Sequence, residues 1–367
     1  MSPWTAALYL ENGQLFVGKG FGAKTARGGE AVFNTGMTGY QEIYTDPSYY
    51  QQVVVLTGSE VGNTGVNADD IESTSAFLSG VVVREYNDIP SNWRSTGTLS
   101  SYLDRLGVPG VFDIDTREVT RVLRDDGAQR SIVFPVSSTD RESILKEAKD
   151  LIATVVSMEG LDLVSRVSCQ KPHLYGDTSA SAPRFVVYDY GVKTNILRSL
   201  RTRGFGVQVV PYNFPYQEVM KINPQAVLLS NGPGDPSVVP DAVGMIQGLL
   251  GKKPIFAICM GHQLLARALG CTTYKLKFGH HGINHPVKDC IQNKILITSQ
   301  NHGFAVKEDD LASREVKVSH KSLNDGCVEG YSSEKLQLLS VQFHPEARPG
   351  PSDAANIFDH FVKGFIR

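Results

Sequence analysis

One cysteine stands at a junction where a thiol can act as a nucleophile. Cys259 follows the apolar run Ile255–Ile258, which predicts a buried strand, and precedes a helical pattern that begins at Met260. A strand that turns at once into a helix holds its side chain out over the edge of a sheet, and the helix N-terminus favours a negative charge on the sulfur. The backbone N–H of Met260 would then face an oxyanion. Taken alone, Cys259 is equally consistent with a thiol that only packs in the core.

A second group of residues, near the end of the chain, offers the partners that a thiol nucleophile needs. The apolar run Leu338–Val341 predicts a strand that leads to His344, and Glu346 lies two positions further on. A histidine can move protons to and from a reacting group, and a carboxylate can orient it. A lone histidine is more often structural, so this interpretation requires a fold that brings His344 to Cys259.

The second half of the chain alternates short apolar runs with helical patterns. The predicted strands are 184–188, 207–210, 226–229 and 253–258, and the predicted helices are 195–202, 216–222, 260–269 and 354–365. Such alternation predicts an α/β domain with a doubly wound, mostly parallel sheet that is covered by helices on both faces. Ligands of such sheets lie beyond the carboxyl ends of the strands, where Cys259 and the Gly232–Gly234 run fall.

The first half of the chain predicts a mixed α+β domain. Asn12-Gly13 separates two apolar runs, as in a tight hairpin. Further strands are predicted at 53–56 and 80–83, and helices at 99–106 and after a capping box at 139–142. The segment 170–183 concentrates Pro, Ser, Gly and Ala, so we predict a linker there, between domains of residues 1–169 and 184–367.

Composition and charge exclude several classes of function. Lys and Arg total 36 against 38 Asp and Glu, so the chain lacks the basic field that nucleic acids or an acidic membrane surface would need. No apolar run approaches the roughly 18 residues of a membrane span, and no basic residue precedes Lys19 as a secretory signal would require. The five cysteines form no CxxC pair, which is typical of a reducing compartment. We therefore expect a cytoplasmic enzyme.

Three features resemble cofactor sites but lack the necessary context. His280, His281 and His285 have no cysteine or carboxylate at ligand spacing, so we expect no metal site there. The Gly18–Gly22 run follows a hairpin and opens no helix, which argues against a dinucleotide site. The GxxxxGK[ST] motif of ATP-binding P-loops does not occur in the sequence.

Two motifs together carry a resemblance to a known family. The Cys259–Gln263 run after a strand and the His344–Glu346 run near the C-terminus are similar to the paired signature of class I, triad-type glutamine amidotransferases. Further segments resemble the small, glutaminase subunits of carbamoyl phosphate synthetases, namely 29–42, 45–49, 113–117, 230–236, 277–286 and 300–306. The resemblance covers nearly the whole chain.

The resemblance implies a role for each matching residue. Cys259 would attack the side-chain amide carbon of glutamine, His344 would move protons, and Glu346 would orient the histidine. Ammonia would leave, and water would hydrolyse the thioester to glutamate. The N–H groups of Met260 and Gly234 would hold the oxyanion. The residues that would bind glutamine are Ser48, Gly232, Gly234, Met260, Gln263, Asn301, Gly303 and Phe304.

The resemblance also implies a partner. A large synthetase subunit, in a heterodimer or a higher oligomer, would use the ammonia with ATP and bicarbonate to make carbamoyl phosphate for arginine and pyrimidine synthesis. ATP and magnesium are expected on that subunit, and no cofactor is expected on this chain. The N-terminal domain would supply much of the docking surface and would bring Ser48 to the active site.

Two alternatives remain open beside this interpretation. One is a glutaminase or peptidase of the same fold that serves another acceptor, but simple members of those groups lack the N-terminal domain. The other is a non-catalytic regulatory or scaffold subunit, which would have no use for Cys259, His344 and Glu346.

Two positions depart from the family pattern. Ala257 stands where the family commonly has glycine, so the turn at the nucleophile could be slightly more open. Gly58-Ser59-Glu60-Val61 replaces Tyr-Pro-x-Ile, so the resemblance does not predict the conformation of that loop. Because the nucleophile is present, we still predict a working glutaminase.

Overall fold

The computed structural model describes residues 4–176 and 184–366 and divides into two compact units. The first unit holds the described residues up to Glu159 together with Lys277–His281, and the second holds the rest. This boundary precedes the predicted one at residue 169, and Cys169, which donates its N–H to Asp189 Oδ2 at 2.8 Å, belongs to the second unit. Of the predicted linker, residues 177–183 lie outside the described residues.

The first unit is built around a closed barrel of seven strands. Its strands are β1 (Trp4–Leu10), β2 (Leu15–Gly22), β3 (Arg27–Asn34), β4 (Gln52–Leu56), β5 (Gly80–Val82), β6 (Pro109–Phe112) and β7 (Gln129–Pro135). They close in the order β1-β2-β6-β5-β4-β3-β7. The helices of this unit are α1 (Tyr40–Thr45), α2 (Leu99–Arg105), α3 (Thr116–Asp126) and α4 (Arg141–Ile152), and Pro47–Tyr49 form a 3₁₀ turn.

Local sequence explains the strands of the barrel better than its closure. Gly13 has a φ of 94°, which lets the predicted hairpin turn and brings Ala7 opposite Val17. All residues of β4 are buried, because Val53 and Val55 pack on one side of the strand and Val54 and Leu56 on the other. A continuous apolar run of this kind is typical of a parallel strand between two layers. No local pattern indicated that the seven strands form a barrel.

The second unit contains a ten-stranded mixed sheet, and the middle of one of its strands, Lys277–His281, is the segment counted with the first unit. Its strands are β8 (His173–Tyr175), β9 (Arg184–Asp189), β10 (Gly206–Pro211), β11 (Ala226–Leu229), β12 (Ile255–Ile258), β13 (Thr273–Asp289), β14 (Lys294–Val306), β15 (Lys317–Ser322), β16 (Val328–Ser333) and β17 (Leu338–Val341). Their order is β14-β13-β15-β16-β17-β12-β11-β9-β10-β8. The helices are α5 (Val164–Val167), α6 (Thr194–Arg201), α7 (Tyr216–Ile222), α8 (Pro240–Leu249), α9 (Met260–Ala268), α10 (Glu308–Leu311) and α11 (Asn356–Phe365).

The predicted parallel strands form one continuous block of this sheet. Strands β17, β12, β11, β9 and β10 pair in parallel, and apolar side chains are buried on both of their faces. Val186 and Tyr188 of β9 pack with α7, α8 and α9, whereas Phe185 and Val187 pack with α6 and α11. Antiparallel pairing adds β16, β15 and β13 on one side and β8 on the other. The strand β8 lies within the segment that was predicted to be a linker.

This topology gathers the ends of separate strands at one edge. The strands β9, β11, β12 and β17 run parallel, so the loops that follow them emerge together. Those loops carry most of the residues that the sequence singles out. Among the described helices, none has both the length and the apolar character to cross a lipid bilayer.

Candidate active site

Cys259 occupies the sharp turn between β12 and α9. Its backbone angles, φ 54° and ψ −106°, lie outside the regions that a non-glycine residue adopts without strain. The Cys259 N–H donates to Val341 O at 2.9 Å, so the neighbouring strand fixes the turn. A Cβ on Gly261 would lie only 2.2 Å from Leu229 O, and glycine therefore lets α9 begin this close to β11. The observed geometry is the strand–turn–helix junction that the sequence predicts.

His344 reaches the same edge in the segment after β17. Its N–H donates to Ser299 O at 2.9 Å, and its side-chain Nδ1 lies 2.6 Å from Glu346 Oε1. Burial lowers the pKa of His344, but the charge of Glu346 and hydrogen bonds to Cys259 and Glu346 outweigh burial and raise the pKa to about 10. The ring is therefore an imidazolium at neutral pH, and its Nδ1–H donates to the carboxylate.

The thiol and the imidazolium belong to one buried group. Nε2 of His344 has no oxygen or nitrogen partner among the described residues, which leaves this N–H for the sulfur of Cys259. The Cys259 Sγ also lies 3.5 Å from Asn301 O. The structure thus brings together Cys259, His344 and Glu346, although a long stretch of chain separates the cysteine from the other two.

Sequence reasoning missed a buried lysine that completes this group. Lys193 follows β9 and is 2% exposed, and its Nζ donates to Glu346 Oε1 at 2.9 Å and to Ala347 O at 2.7 Å. Burial raises the pKa of Glu346, but Lys193 and His344 outweigh burial and lower the pKa to about 2. The only sequence signal was position, because Lys193 follows a buried parallel strand at the same edge as Cys259.

The glycine run after β11 supplies bare backbone beside the nucleophile turn. Ser230 O accepts the Gly261 N–H at 2.8 Å, which ties this loop to the start of α9. A Cβ on Gly232 would lie 2.1 Å from Tyr190 O, and Gly234 has a φ of 87°. Both positions therefore require glycine. Among the described residues, the Gly234 N–H has no acceptor.

The N–H of Met260 is similarly available. Met260 is the first residue of α9, and the first N–H groups of a helix have no partner inside it. Met260 and Gly234 therefore each offer a backbone donor that no acceptor in residues 4–176 or 184–366 uses. Two such donors are what an oxyanion requires.

Three of the predicted glutamine-binding residues lie on β14, and a fourth holds that strand. Asn301, Gly303 and Phe304 belong to β14, and one residue separates Asn301 from the other two. The Gln263 side chain is buried, and its Nε2 donates to Phe304 O at 2.8 Å and to Gln342 Oε1 at 3.0 Å. Gln263 therefore holds β14 in place through the backbone carbonyl of Phe304. A Cβ on Gly303 would meet no atom within 4 Å.

Ser48 belongs to the first unit. It lies in the 3₁₀ turn Pro47–Tyr49, is 6% exposed, and donates its N–H to Asp46 Oδ1 at 2.9 Å. The turn is thus well fixed within its own unit. The predicted role of Ser48 in binding glutamine stays a prediction.

The other cysteines differ from Cys259 in their surroundings. Burial raises the pKa of the Cys169 thiol to about 12 and also raises those of Cys271 and Cys327. None of these thiols occupies a strand–helix turn, and Cys290 lies in the turn between β13 and β14. Because their pKa values are raised, Cys169, Cys271 and Cys327 are protonated thiols at neutral pH. The expectation that His280, His281 and His285 hold no metal stays a prediction.

Comparisons with known proteins assign both halves of the chain. The family described as glutamine amidotransferase class-I matches residues 186–364, and the carbamoyl-phosphate synthase small chain, CPSase domain, matches residues 8–133. The carbamoyl phosphate synthase small chain of Listeria innocua is 46% identical over 97% of this chain and 95% of its own length.

Two further relatives give the same result. The pyrimidine-specific small chain of Bacillus subtilis is 46% identical over 97% of this chain and 94% of its own length. The chloroplastic small chain of Arabidopsis thaliana is 45% identical over 98% of this chain and 86% of its own length. The chain therefore belongs to the family of carbamoyl phosphate synthase small chains.

Proposed function

We propose that this chain hydrolyses glutamine through a thioester on Cys259 and acts as the glutaminase subunit of a carbamoyl phosphate synthetase. The observation that carries the proposal is the buried group of Cys259, His344 and Glu346 at the carboxyl edge of a parallel sheet. The raised pKa of His344, about 10, supplies a positive charge beside the sulfur. An imidazolium stabilises a thiolate, which is the attacking form of cysteine.

In the first step the Cys259 thiolate attacks the side-chain amide carbon of glutamine. A carbon–sulfur bond forms, and the amide oxygen takes up negative charge that the N–H groups of Met260 and Gly234 stabilise. His344 then gives its Nε2 proton to the amide nitrogen. The carbon–nitrogen bond breaks, ammonia leaves, and a γ-glutamyl thioester remains on Cys259.

In the second step water hydrolyses the thioester. His344, now neutral, takes a proton from the attacking water, and the same backbone donors stabilise the second oxyanion. The carbon–sulfur bond breaks, so that glutamate and the thiolate of Cys259 are released. The imidazolium that forms restores the starting charge state.

Glu346 and Lys193 act on the histidine rather than on substrate. The carboxylate accepts the Nδ1–H and so fixes the ring with Nε2 towards the sulfur. Lys193 keeps that carboxylate ionised, because its ammonium lies 2.9 Å away in a buried environment. Both are positioning residues.

Glutamine would lie along the edge formed by the loop after β11 and the strand β14. The backbone of Gly232, Gly303 and Phe304 would contact its amino-acid moiety, with help from the side chains of Asn301 and Gln263. We also assign Ser48 a role in binding glutamine.

The product explains why a partner is needed. Free ammonia in neutral water is mostly ammonium, which is not a nucleophile, so a synthetase must receive the neutral molecule through a sheltered path. We assign that synthesis to a large subunit that binds ATP, magnesium and bicarbonate, and assign no cofactor to this chain. We also assign the complex to the cytoplasm.

Substitution of the nucleophile tests the proposal. In the complex with a large subunit, Cys259→Ser is expected to abolish glutamine-dependent carbamoyl phosphate synthesis and to leave ammonia-dependent synthesis intact. Cys271→Ser, which changes another buried thiol, is the matched control and should retain both activities. Retention of the glutamine-dependent activity in Cys259→Ser would contradict the thioester mechanism, and loss of both activities would contradict the division of labour between the subunits.

A further inference from the structure

One loop of the first unit exposes two large apolar side chains. Trp93 is 93% exposed and Ile89 is 80% exposed, the highest values among the large apolar side chains of the described residues. Both lie in the loop between β5 and α2, which we call the tryptophan loop and define as residues 87–95. Tryptophan is enriched among the residues that dominate the affinity of protein interfaces.

The tryptophan loop is held in one conformation by hydrogen bonds to the loop at residues 58–70. Asn87 N–H donates to Val61 O at 2.8 Å, and Ser91 N–H donates to Asn63 O at 2.8 Å. The Val61 N–H in turn donates to Glu85 O at 3.0 Å. These bonds fix the Gly58–Val61 segment, whose conformation the family pattern did not predict.

A half-buried ion pair holds the far end of the loop. Arg94 Nη2 lies 2.6 Å from Asp70 Oδ1, directly beside Trp93 in the chain. The tryptophan is therefore presented on a backbone that is already ordered. A surface of this kind loses little conformational entropy when a partner covers it.

Acidic side chains border the tryptophan loop. Glu60, whose Oε1 accepts the Asn87 Nδ2–H at 2.9 Å, and Asp88 are exposed on either side of it. Glu85, whose backbone oxygen accepts the Val61 N–H, and Asp69, the neighbour of Asp70, are also exposed. Two basic side chains lie in the same stretch, the exposed Arg84 and the partly exposed Arg94, which pairs with Asp70. The acidic side chains outnumber them, so the border carries a net negative charge. Charge complementarity calls for a partner that is basic around an apolar pocket.

We propose that Ile89 and Trp93 anchor the large synthetase subunit, which would cover them with an apolar pocket bordered by lysine or arginine. The inference rests on the proposed function, because membership of a small-chain family is what supplies a permanent partner. Both side chains are largely exposed, so no cavity formed by the described part of the chain encloses them. A protein surface therefore fits them better than a small molecule. Rigid, exposed tryptophan on ordered backbone is typical of residues that dominate the affinity of an interface.

Fluorescence tests whether the tryptophan becomes buried. The chain has two tryptophans, so Trp4→Phe leaves Trp93 as the sole tryptophan reporter. When the large subunit is added, in a form whose own tryptophans are replaced, we expect a blue shift of the Trp93 emission and protection from acrylamide. An emission that stays unchanged while the complex forms would overturn the proposal.

Affinity measurements test whether the two side chains carry binding. Trp93→Ala and Ile89→Asp are each expected to weaken binding of the large subunit at least about 30-fold, as substitutions at dominant interface residues do. Val156→Asp is the matched control, because Val156 is an apolar residue of the same unit that is 65% exposed and lies outside the loop. Glutamine hydrolysis by the isolated chain should be unchanged in all three variants.

The outcomes separate this inference from the proposed function. If the wild-type chain binds the large subunit and Trp93→Ala binds as tightly as Val156→Asp, the tryptophan loop is not the anchor and the proposed function stands. If the wild-type chain does not bind at all, the proposed partner itself is wrong. If Trp93→Ala instead converts a self-associated chain into a monomer, the loop covers a second copy and the proposal is overturned.

Discussion

Two buried histidines of the second unit show opposite responses to burial. His262 on α9 is fully buried, its Nδ1 lies 2.9 Å from Ser340 Oγ, and burial lowers its pKa to about 3 despite the more distant charge of Glu329. His344 is 2% exposed, yet its pKa is raised to about 10. The difference is a carboxylate in contact at 2.6 Å, together with the Cys259 sulfur.

The comparison shows what turns a core histidine into a catalytic one. Loss of water makes a buried imidazole neutral unless a charge of opposite sign touches it. At His344 that charge is Glu346, which stays ionised because Lys193 pairs with it. His262 has a hydroxyl as its neighbour instead, so it fills the core and bonds without a charge.

The largest expected effect separates the two histidines directly. His344→Asn is expected to lower kcat/KM for glutamine hydrolysis by about 10²–10⁴-fold, because the proton donor for ammonia is lost. His262→Asn keeps a polar atom near Ser340 and should retain hydrolysis within a few-fold. Steady-state kinetics on both variants measures the difference, and equal losses in the two would contradict the assignment of roles.

The next effect tests the carboxylate and its lysine. Glu346→Gln should also lower kcat/KM, by a smaller factor than His344→Asn, since the proton donor stays but loses its orienting charge. Removal of one partner of a buried ion pair also costs stability, about 3–5 kcal/mol. The double variant Glu346→Gln with Lys193→Met removes both charges, so denaturant unfolding should show recovered stability while the activity stays low.

Recovery of activity in that double variant would mean that Glu346 serves only to neutralise Lys193. The histidine would then need no carboxylate, and the contrast with His262 would have another cause.

The two histidines should make the free energy of unfolding depend on pH in opposite directions. The folded pKa of His344, about 10, lies above the ordinary value near 6.5, so its contribution is complete below pH 6.5 and is lost as pH rises towards 10. The folded pKa of His262, about 3, lies below the ordinary value, so stability is lost as pH falls from 6.5 towards 3.

Denaturant unfolding across this range measures both slopes. His344→Asn should flatten the loss on the alkaline side, and His262→Asn should reduce the loss on the acid side. If His344→Asn left the alkaline side unchanged, the histidine would not be charged in the folded protein.

The smallest effect is expected for a substitution at Ala257, which alters neither histidine. Ala257 is fully buried in β12, and its methyl group packs in the core beside the nucleophile turn. Ala257→Gly should cost about 0.5–1 kcal/mol of unfolding free energy, because glycine is more flexible in a strand. Glutamine hydrolysis should change less than two-fold. A larger loss in kinetics would mean that this methyl group sets the angle of the turn.

The sequence predicted the parts of the fold that follow from local pattern. The parallel strands, the Asn12-Gly13 hairpin and the helix that begins after Cys259 all appear at or within a few residues of the expected places. Closure of the first unit into a barrel was not predictable in this way, because it depends on pairing between strands far apart in the sequence, such as β1 and β3 with β7. The strand β8 was missed because its residues are mostly exposed and surrounded by turn formers.

The candidate site divides in the same way. Cys259, His344 and Glu346 were found because each belongs to a short motif after a buried strand. Lys193 was not, because a lysine carries no signal of burial in its own sequence and is normally exposed. Its role follows only from its short distance to Glu346. The sheet brings the two together, because Lys193 follows β9 and Glu346 follows β17 at the same edge.

One measurement tests the central claim most directly. The chain is incubated with a glutamine analogue that carries an electrophilic carbon in place of the side-chain amide, and the modified peptide is identified by mass spectrometry. We predict stoichiometric modification of Cys259, complete loss of glutamine hydrolysis, and protection by excess glutamine. Modification of Cys271 or Cys290 with Cys259 left free would contradict the account.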